Sequence, residues 1–230
     1  MDISDGAAVK QAGIPETQPP LRKRAQVILE TLRELYPDAH CSLDYASPYQ
    51  LLVATVLSAQ CTDERVNQVT PAFFARFPSP EALASAQQEE VEQLIRSTGF
   101  YRNKARNLIA AAQKIVLKFG GEIPATMENL VTIPGVARKT ANVVLSNAFG
   151  VHEGIAVDTH VGRLAARLGL TEASDPVKIE QDLTALFPRE AWGFINHAMI
   201  AHGRTICVAR KPKCQECRLA QWCPRVGVDG

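Results

Sequence analysis

Hydrophobic residues recur at helical spacing along most of the chain. Between Leu21 and Tyr36, apolar side chains fall on one stripe before Pro37 ends the pattern. Stretches 51–57, 65–77, 80–86, 89–97, 104–119, 126–132, 138–149, 159–168, 176–186 and 190–201 show helical patterns as well. No stretch alternates apolar and polar residues over a useful length. The sequence therefore predicts an all-α fold.

Two of these segments, 126–132 and 138–149, are joined by a short turn that contains Pro134 and Gly135. The glycine allows the backbone to turn and to approach a partner closely, and the start of the second helix offers free N–H groups to an anion. Lys139 lies in the first turn of that helix, beside any anion bound there. An ordinary helix hairpin with a surface lysine fits these residues equally well.

The composition is that of a globular protein, with 46% hydrophobic and 21% charged residues among 230. This length allows one large or two modest domains. The 25 Lys and Arg nearly balance the 24 Asp and Glu, so the net charge gives no signal for nucleic-acid binding. Any such signal has to be local. Residues 1–20 contain few large apolar groups and are predicted to form a disordered tail.

No apolar run is long enough to span a bilayer, and the first residues lack the features of a secretory signal. We therefore expect a cytoplasmic protein that does not bind membranes. Disulfides are rare in the cytosol, so the six cysteines need another interpretation.

Four cysteines lie close together near the C-terminus with the spacing C-x6-C-x2-C-x5-C, at Cys207, Cys214, Cys217 and Cys223. Four thiolates within so short a stretch indicate a metal site. Zinc commonly uses four cysteines, although usually in two close pairs, and a [4Fe–4S] cluster also binds four thiolates. The spacing alone leaves both open.

The loop between the first two of these cysteines carries Arg210, Lys211 and Lys213. Fixed cations on such a loop suit contacts with phosphates, which supply affinity without sequence selectivity. A solvated rim around the metal site is the alternative.

Two further stretches combine polar or aromatic residues with predicted turns. Gln60 follows the apolar helix 51–57, in a polar stretch that fits a helix cap better than a site. A later turn places two aromatics before three cations, in the order Phe100, Tyr101, Arg102, Lys104 and Arg106. Such aromatics can stack on bases beside phosphates, but packing onto the core is the commoner outcome.

Asp158 immediately precedes the helical pattern 159–168 and is well placed to cap it. The alternative is a catalytic role, which requires that the Asp158 carboxylate lie near Lys139 in the fold. An amine nucleophile and a carboxylate could together cleave a glycosidic bond.

Taken together, these motifs resemble the endonuclease III family of the helix-hairpin-helix superfamily. The resemblance covers roughly residues 21–225. It rests on the stretches 57–63, 133–142, 156–160 and 202–204 and on the four cysteines. It implies a six-helix domain at 41–151 and an iron–sulfur domain formed by 21–40 and 152–225, with DNA across the cleft between them.

The resemblance also implies roles for single residues. Lys139 matches the Schiff-base nucleophile, Asp158 the catalytic aspartate, and the four cysteines the ligands of a [4Fe–4S] cluster. Gln60 matches the residue that fills the gap left by a flipped nucleotide. Phe100 stands where the family often has an aliphatic wedge, and Ala137 where it usually has a second hairpin glycine. The predicted DNA contacts are Gln60, Phe100, Tyr101, Gly135, Ala137, Arg138, Arg210, Lys211 and Lys213.

The function implied is that of a monomeric base-excision repair enzyme. Such an enzyme removes oxidised pyrimidines from duplex DNA and cleaves abasic sites by β-elimination. A pyrimidine-dimer glycosylase is the alternative substrate assignment. A non-catalytic helix-hairpin-helix module and an iron–sulfur electron carrier are the rival classes, and nicking of abasic DNA separates them from the enzyme.

Overall fold

A computed structural model describes residues 20–228, and its regular elements in that range are all helical. The predicted tail lies outside the described residues except for Pro20. The helices are α1 Leu21–Leu35, α2 Pro48–Leu57, α3 Asp63–Arg76, α4 Pro80–Ala84, α5 Gln88–Ile95, α6 Tyr101–Phe119, α7 Met127–Leu130, α8 Arg138–Phe149, α9 Thr159–Arg167, α10 Pro176–Leu186 and α11 Trp192–Thr205. The predicted all-α class is confirmed.

Local capping explains why several of these helices begin where they do. Ser47, Thr62, Thr126 and Asp158 precede α2, α3, α7 and α9, and each side chain accepts a hydrogen bond from a backbone N–H of the first turn. At the other end of α8, Gly150 adopts φ 65°, in the left-handed region that glycine enters without steric cost.

Two separate hydrophobic cores organise the described chain. The first is built by helices α2–α8 and contains large buried side chains such as Phe73, Phe77 and Leu108. The second combines α1 with α9–α11, through Ile28, Leu164 and residues of α11. The N-terminal helix thus packs with the C-terminal helices. Residues 41–151 contain the seven α-helices α2–α8, of which α4 and α7 are short.

Polar contacts join the two cores along one seam. Arg204 of α11 donates to the Asp63 carboxylate at 2.7 Å, and His197 of α11 bonds the Asn147 side chain of α8 at 2.8 Å. Burial lowers the pKa of His197 to about 4, so its ring is neutral at physiological pH. In the described range, no helix combines the length and apolar character needed to cross a membrane.

Candidate active site and cluster site

The turn between α7 and α8 is tight and well anchored. Ile133 and Val136 are buried in the first core, and the Val136 N–H donates to the Ile133 carbonyl at 3.0 Å. Gly135 lies between them with φ 78°, and an added Cβ would come within 3.0 Å of the Asn107 Cβ. Glycine is therefore required at this position for both backbone conformation and space.

The start of α8 lacks a side-chain cap. Ala137 has extended backbone torsions and makes no capping hydrogen bond, while the Ala141 N–H closes the first helical turn onto the Ala137 carbonyl. The N–H groups before Ala141 belong to the orphan donors of a helix start. The backbone geometry is therefore compatible with the predicted anion site at this end of the helix.

Lys139 and Asp158 line the same cavity, which has a volume of about 590 Å³ and lies where the two cores meet. Lys139 is exposed, on α8, and Asp158 is half-buried at the start of α9. Residues from α1, α2, α8 and α11 complete the lining, including Ser58, Asn196 and Arg204. The structure thus places the predicted amine and carboxylate in one open cleft.

Asp158 also caps α9. Its Oδ1 atom accepts hydrogen bonds from the N–H groups of His160 and Val161, both at 2.8 Å. The second oxygen, Oδ2, makes no hydrogen bond to the residues that the structure describes. Capping and chemistry are therefore compatible, because the cap uses only one oxygen of the carboxylate and fixes its orientation.

Arg138, the predicted DNA contact next to Lys139, is held by an internal ion pair. Its guanidinium donates to both oxygens of Glu180 on α10, at 2.9 and 3.1 Å. Asn142 Nδ2 also donates to that carboxylate, at 2.9 Å. These bonds connect α8 to the second core. Sequence reasoning did not identify Glu180, which is 38 residues from Asn142.

Gln60 and Phe100 both lie on exposed turns with left-handed backbone torsions, at φ 53° and φ 47°. Phe100 is 64% exposed, whereas Tyr101 is half-buried against the first core. The Arg102 guanidinium lies 5.5 Å from the centre of the Tyr101 ring. Of the two aromatics, Phe100 is therefore the more accessible for stacking.

Lys104, one of the three cations that follow these aromatics, is not available to bound phosphates. This side chain is only 5% exposed, and its Nζ donates to the carbonyls of Leu57 and Thr98, both at 2.8 Å. Lys104 lies on the same face of α6 as the buried Leu108 and Ile115. Its position on this apolar stripe was a signal that the sequence contained.

The four clustered cysteines surround one pocket between α9 and the C-terminal loop, and none forms a disulfide. The pocket is lined by apolar groups such as Leu164 and Leu168 and by the charged Arg167. Within residues 20–228, no three His, Cys, Asp or Glu side chains are arranged to hold one metal ion. Sulfurs that encircle a pocket suit the larger [4Fe–4S] cluster better than a tetrahedral zinc ion.

Two side chains that sequence reasoning missed support the cysteine pocket. Arg167 is buried, donates to the Cys207 Sγ at 3.4 Å, and donates to the carbonyls of Val208 and Ala209 at 2.8 Å. His202 bonds the Tyr36 hydroxyl through Nδ1 at 3.0 Å and lies 3.4 Å from the Cys217 Sγ through Nε2. Hydrogen bonds to the sulfurs are a usual means of stabilising thiolate ligands.

Burial governs the protonation of this pocket. It raises the pKa of the Cys223 thiol to about 11 and also raises that of Cys217. It lowers the pKa of His202 to about 4, so the neutral ring can accept from Tyr36 and donate to a Cys217 thiolate. Iron binding has to deprotonate the thiols, and cluster assembly is therefore coupled to proton release.

The predicted phosphate contacts of the cluster loop are exposed at Arg210, Lys211 and Lys213. Lys211 adopts a left-handed conformation with φ 52°. The Lys213 N–H donates to the Ile206 carbonyl at 3.0 Å, which fixes the loop against the end of α11. The three cations thus project from a loop whose backbone is anchored.

The helical fold, the hairpin and the cleft define a class of protein, and comparison with known families agrees. Residues 53–189 match the family described as the HhH-GPD superfamily base excision DNA repair protein. Residues 207–223, from the first to the last of the clustered cysteines, match the iron–sulfur binding domain of endonuclease III. The protein is a base-excision DNA repair protein with a [4Fe–4S] cluster.

Individual relatives narrow this class. The chain is 60% identical to endonuclease III of Synechocystis sp. over 88% of its length and 93% of the relative. It shares 44% identity, with a TM-score of 0.84, with a non-covalent endonuclease III–DNA complex, covering 88% of this chain and 94% of that one. A trapped endonuclease III–DNA covalent intermediate matches equally well, over 88% and 95% of the two chains. The chain belongs to the endonuclease III family of bifunctional DNA glycosylase/abasic-site lyases.

Proposed function

We propose that the cleft flips a damaged pyrimidine out of duplex DNA, with Lys139 as nucleophile and Asp158 as the assisting carboxylate. The observation that carries this proposal is the single cavity lined by both residues. A relative of the same fold has been trapped as a covalent intermediate with DNA, which supports an enzyme nucleophile. The assignment to oxidised pyrimidines rests on the family resemblance, and a panel of lesion duplexes tests it against pyrimidine dimers.

In the proposed reaction, the neutral Lys139 amine attacks C1′ of the damaged nucleotide. The N–C1′ bond forms as the glycosidic bond breaks, and the base leaves with that electron pair and a proton. Asp158 stabilises the positive charge that develops on the sugar. Opening of the sugar ring gives an imine, loss of the C2′ proton expels the 3′ phosphate, and water then returns the free amine.

Binding would use both sides of the cleft. We assign one phosphate to the N–H groups at the start of α8, next to Gly135 and Ala137. Arg138 forms the internal ion pair with Glu180, but its side chain is 48% exposed, and it stays a predicted DNA contact. The cations of the cluster loop would contact phosphates on the other side. The [4Fe–4S] cluster, held by the four cysteines, would crosslink this loop to the second core.

The proposed binding mode assigns the two sides of the cleft to two domains. We propose boundaries at residues 41–151 and at 21–40 with 152–225. The two hydrophobic cores support this division, because the first draws on α2–α8 and the second on α1 with α9–α11. The Lys139 and Asp158 side chains would then come from the two sides of the domain boundary.

Reduction by borohydride tests the nucleophile. With wild-type protein and abasic DNA, we expect a covalent protein–DNA adduct. Lys139→Gln should abolish both the adduct and strand cleavage while largely preserving binding. An adduct that forms at the wild-type rate in Lys139→Gln would mean that another amine is the nucleophile.

Asp158→Asn separates chemistry from folding at the second residue. Asparagine can still cap α9 through its side-chain oxygen, so the free energy of unfolding should change little. Loss of the negative charge should slow base release. Unchanged base release in a well-folded Asp158→Asn would remove Asp158 from the mechanism.

A further inference from the structure

The buried Lys104 connects two turns that are distant in the sequence. Its Nζ lies between the carbonyl of Leu57, the last residue of α2, and the carbonyl of Thr98. The first carbonyl is one of the orphan acceptors of a helix C-terminus, where the macrodipole also favours a cation. Burial lowers the pKa of Lys104 and thus disfavours its ammonium form. The two carbonyl acceptors and the helix end act in the opposite direction and stabilise the ammonium.

Each of these carbonyls lies just before one of the exposed turns. The Gln60 loop, residues 58–62, follows Leu57 directly, and the Phe100 loop, residues 99–100, follows Thr98. Thr98 is itself buried, and its hydroxyl donates to the Ile95 carbonyl at 2.8 Å. The ammonium therefore bonds the fixed base of both loops, and the exposed side chains lie two or three residues further along.

Both loops also have strained backbones at the residue that they expose. Gln60 and Phe100 have positive φ angles, which side-chain-bearing residues rarely adopt. Such conformations persist only where the surrounding structure holds them in place. For both loops, the Lys104 ammonium is part of that surrounding structure.

We propose that Lys104 is a positioning residue that fixes the Gln60 loop and the Phe100 loop relative to each other, so that both side chains enter the base stack when a nucleotide is flipped. The inference rests on the proposed function, in which these side chains replace the extruded nucleotide. Without the bridge, each loop can move independently. The free-energy cost of unstacking would then be less well offset.

The test uses the full-length, cluster-containing protein and two substrates. One is a duplex with an oxidised thymine, which has to be flipped, and the other is a duplex with an abasic site, which has no base to remove. Single-turnover rates are measured on both. Gln60→Ala should lower base excision by about tenfold relative to abasic-site cleavage, since each 1.4 kcal/mol lost in flipping is a factor of ten.

Lys104→Met should lower the same ratio of rates. The decisive measurement is a double-mutant cycle. If Lys104 acts through Gln60, then Gln60→Ala should cost less in the Lys104→Met background than in wild type, with a non-additivity of about threefold or more. Lys104→Arg keeps the charge and the donors and should recover part of the ratio. Lys118→Met, at an exposed lysine of the same helix, is the matched control and should leave the ratio unchanged.

Three results would overturn the inference. Additive effects in the cycle would show that Lys104 does not act through Gln60. Equal losses on both substrates in Lys104→Met would indicate a general structural role. A Gln60→Ala variant that loses no selectivity would remove the proposed role of Gln60 itself, together with the inference built on it. Should Lys104→Met fail to fold, Lys104→Gln, which keeps an amide donor, replaces it in the same cycle.

Discussion

Glu180→Ala should destabilise the protein much more than Glu90→Ala, although both carboxylates accept two guanidinium hydrogen bonds. The Glu180 side chain is 8% exposed and bonds Arg138, whose side chain is 48% exposed. The Glu90 side chain is 37% exposed and bonds Arg76, which is 56% exposed. Glu180 also joins the two cores, whereas Arg76 and Glu90 both lie among the helices of the first.

The expected magnitude follows from the groups that Glu180→Ala would leave behind. Asn142 is 2% exposed, and its Nδ2 would lose its partner, at a cost of about 1–3 kcal/mol. Arg138 can turn to water, so its lost ion pair adds only about 1 kcal/mol, well below the cost at a fully buried pair. We therefore expect a loss of about 2–4 kcal/mol for Glu180→Ala and of about 0–1 kcal/mol for Glu90→Ala.

Urea unfolding measures the loss in the free energy of unfolding for both variants. Far-UV circular dichroism follows the helices, and visible absorbance follows the [4Fe–4S] cluster. In Glu180→Ala the two transitions should separate, because the contact between the cores is weakened and the unfolding is no longer two-state. Glu180→Gln, which keeps the shape and one acceptor, should fall between Glu180→Ala and wild type.

Equal losses at Glu180 and Glu90 would refute this reasoning, because burial would then not govern the strength of the contact. Coincident transitions in Glu180→Ala would show that the carboxylate does not couple the cores. A second readout is strand cleavage. Since Arg138 precedes Lys139, loosening this contact should lower the rate of abasic-site cleavage in protein that remains folded.

Three further predictions concern Gly154, Lys211 and Cys214. Gly154→Ala should reproduce part of the Glu180→Ala destabilisation in urea, because its Cβ would collide with the Glu180 carboxylate, and a free energy of unfolding equal to wild type would contradict this. Lys211→Glu should weaken binding to damaged and undamaged duplexes alike, as measured by fluorescence anisotropy. The slope of log affinity against log salt concentration should fall by about one for each lost phosphate contact. A selective loss of lesion preference would argue against this role of Lys211. Cys214→Ser should reduce the iron and sulfide content and destabilise the C-terminal region, and a fully loaded, equally stable variant would show that this thiol is not a ligand.

The hairpin could be predicted from sequence because its determinants are local. Thr126 caps α7, Gly135 provides the turn and Gly150 ends α8, and each acts on residues within a few positions. The observed bounds of α8, Arg138–Phe149, are those predicted. Signals of this kind depend on backbone conformation and short-range hydrogen bonds, which the order of residues specifies directly.

The burial of Lys104 could have been predicted from its helical phase. Lys104 falls on the same face as the buried Leu108 and Ile115 by helical spacing, whether the helix begins at residue 104, as predicted, or at Tyr101, as observed. A lysine on an apolar stripe requires buried acceptors. Those acceptors, at Leu57 and Thr98, come from other elements, so the stripe could have revealed the burial but not the partners.

The contacts of Glu180 and Arg167 could not be predicted from the sequence. Glu180 meets Arg138 from 42 residues away, and Arg167 meets the Cys207 Sγ from 40 residues away. Both are charged residues on amphipathic helices, where a solvated position is the ordinary expectation. Which charged side chain turns inward depends on how α9 and α10 pack against other elements, and a single sequence does not specify that packing.

The two helix starts near Lys139 and Asp158 are capped differently, and this difference bears on the proposed chemistry. At α9, Asp158 supplies its own anionic cap, and the two N–H bonds to Oδ1 fix the carboxylate beside the cavity. At α8, Ala137 supplies no side-chain cap, so the first N–H groups remain available to an external anion. Asp or Ser at residue 137 would cap α8 internally and compete with a phosphate for the same donors. Ala137, at the position where the family resemblance implies a second glycine, is therefore compatible with phosphate binding, since alanine supplies no capping group. Lys139, two residues further on, would then be held beside the bound backbone of the DNA.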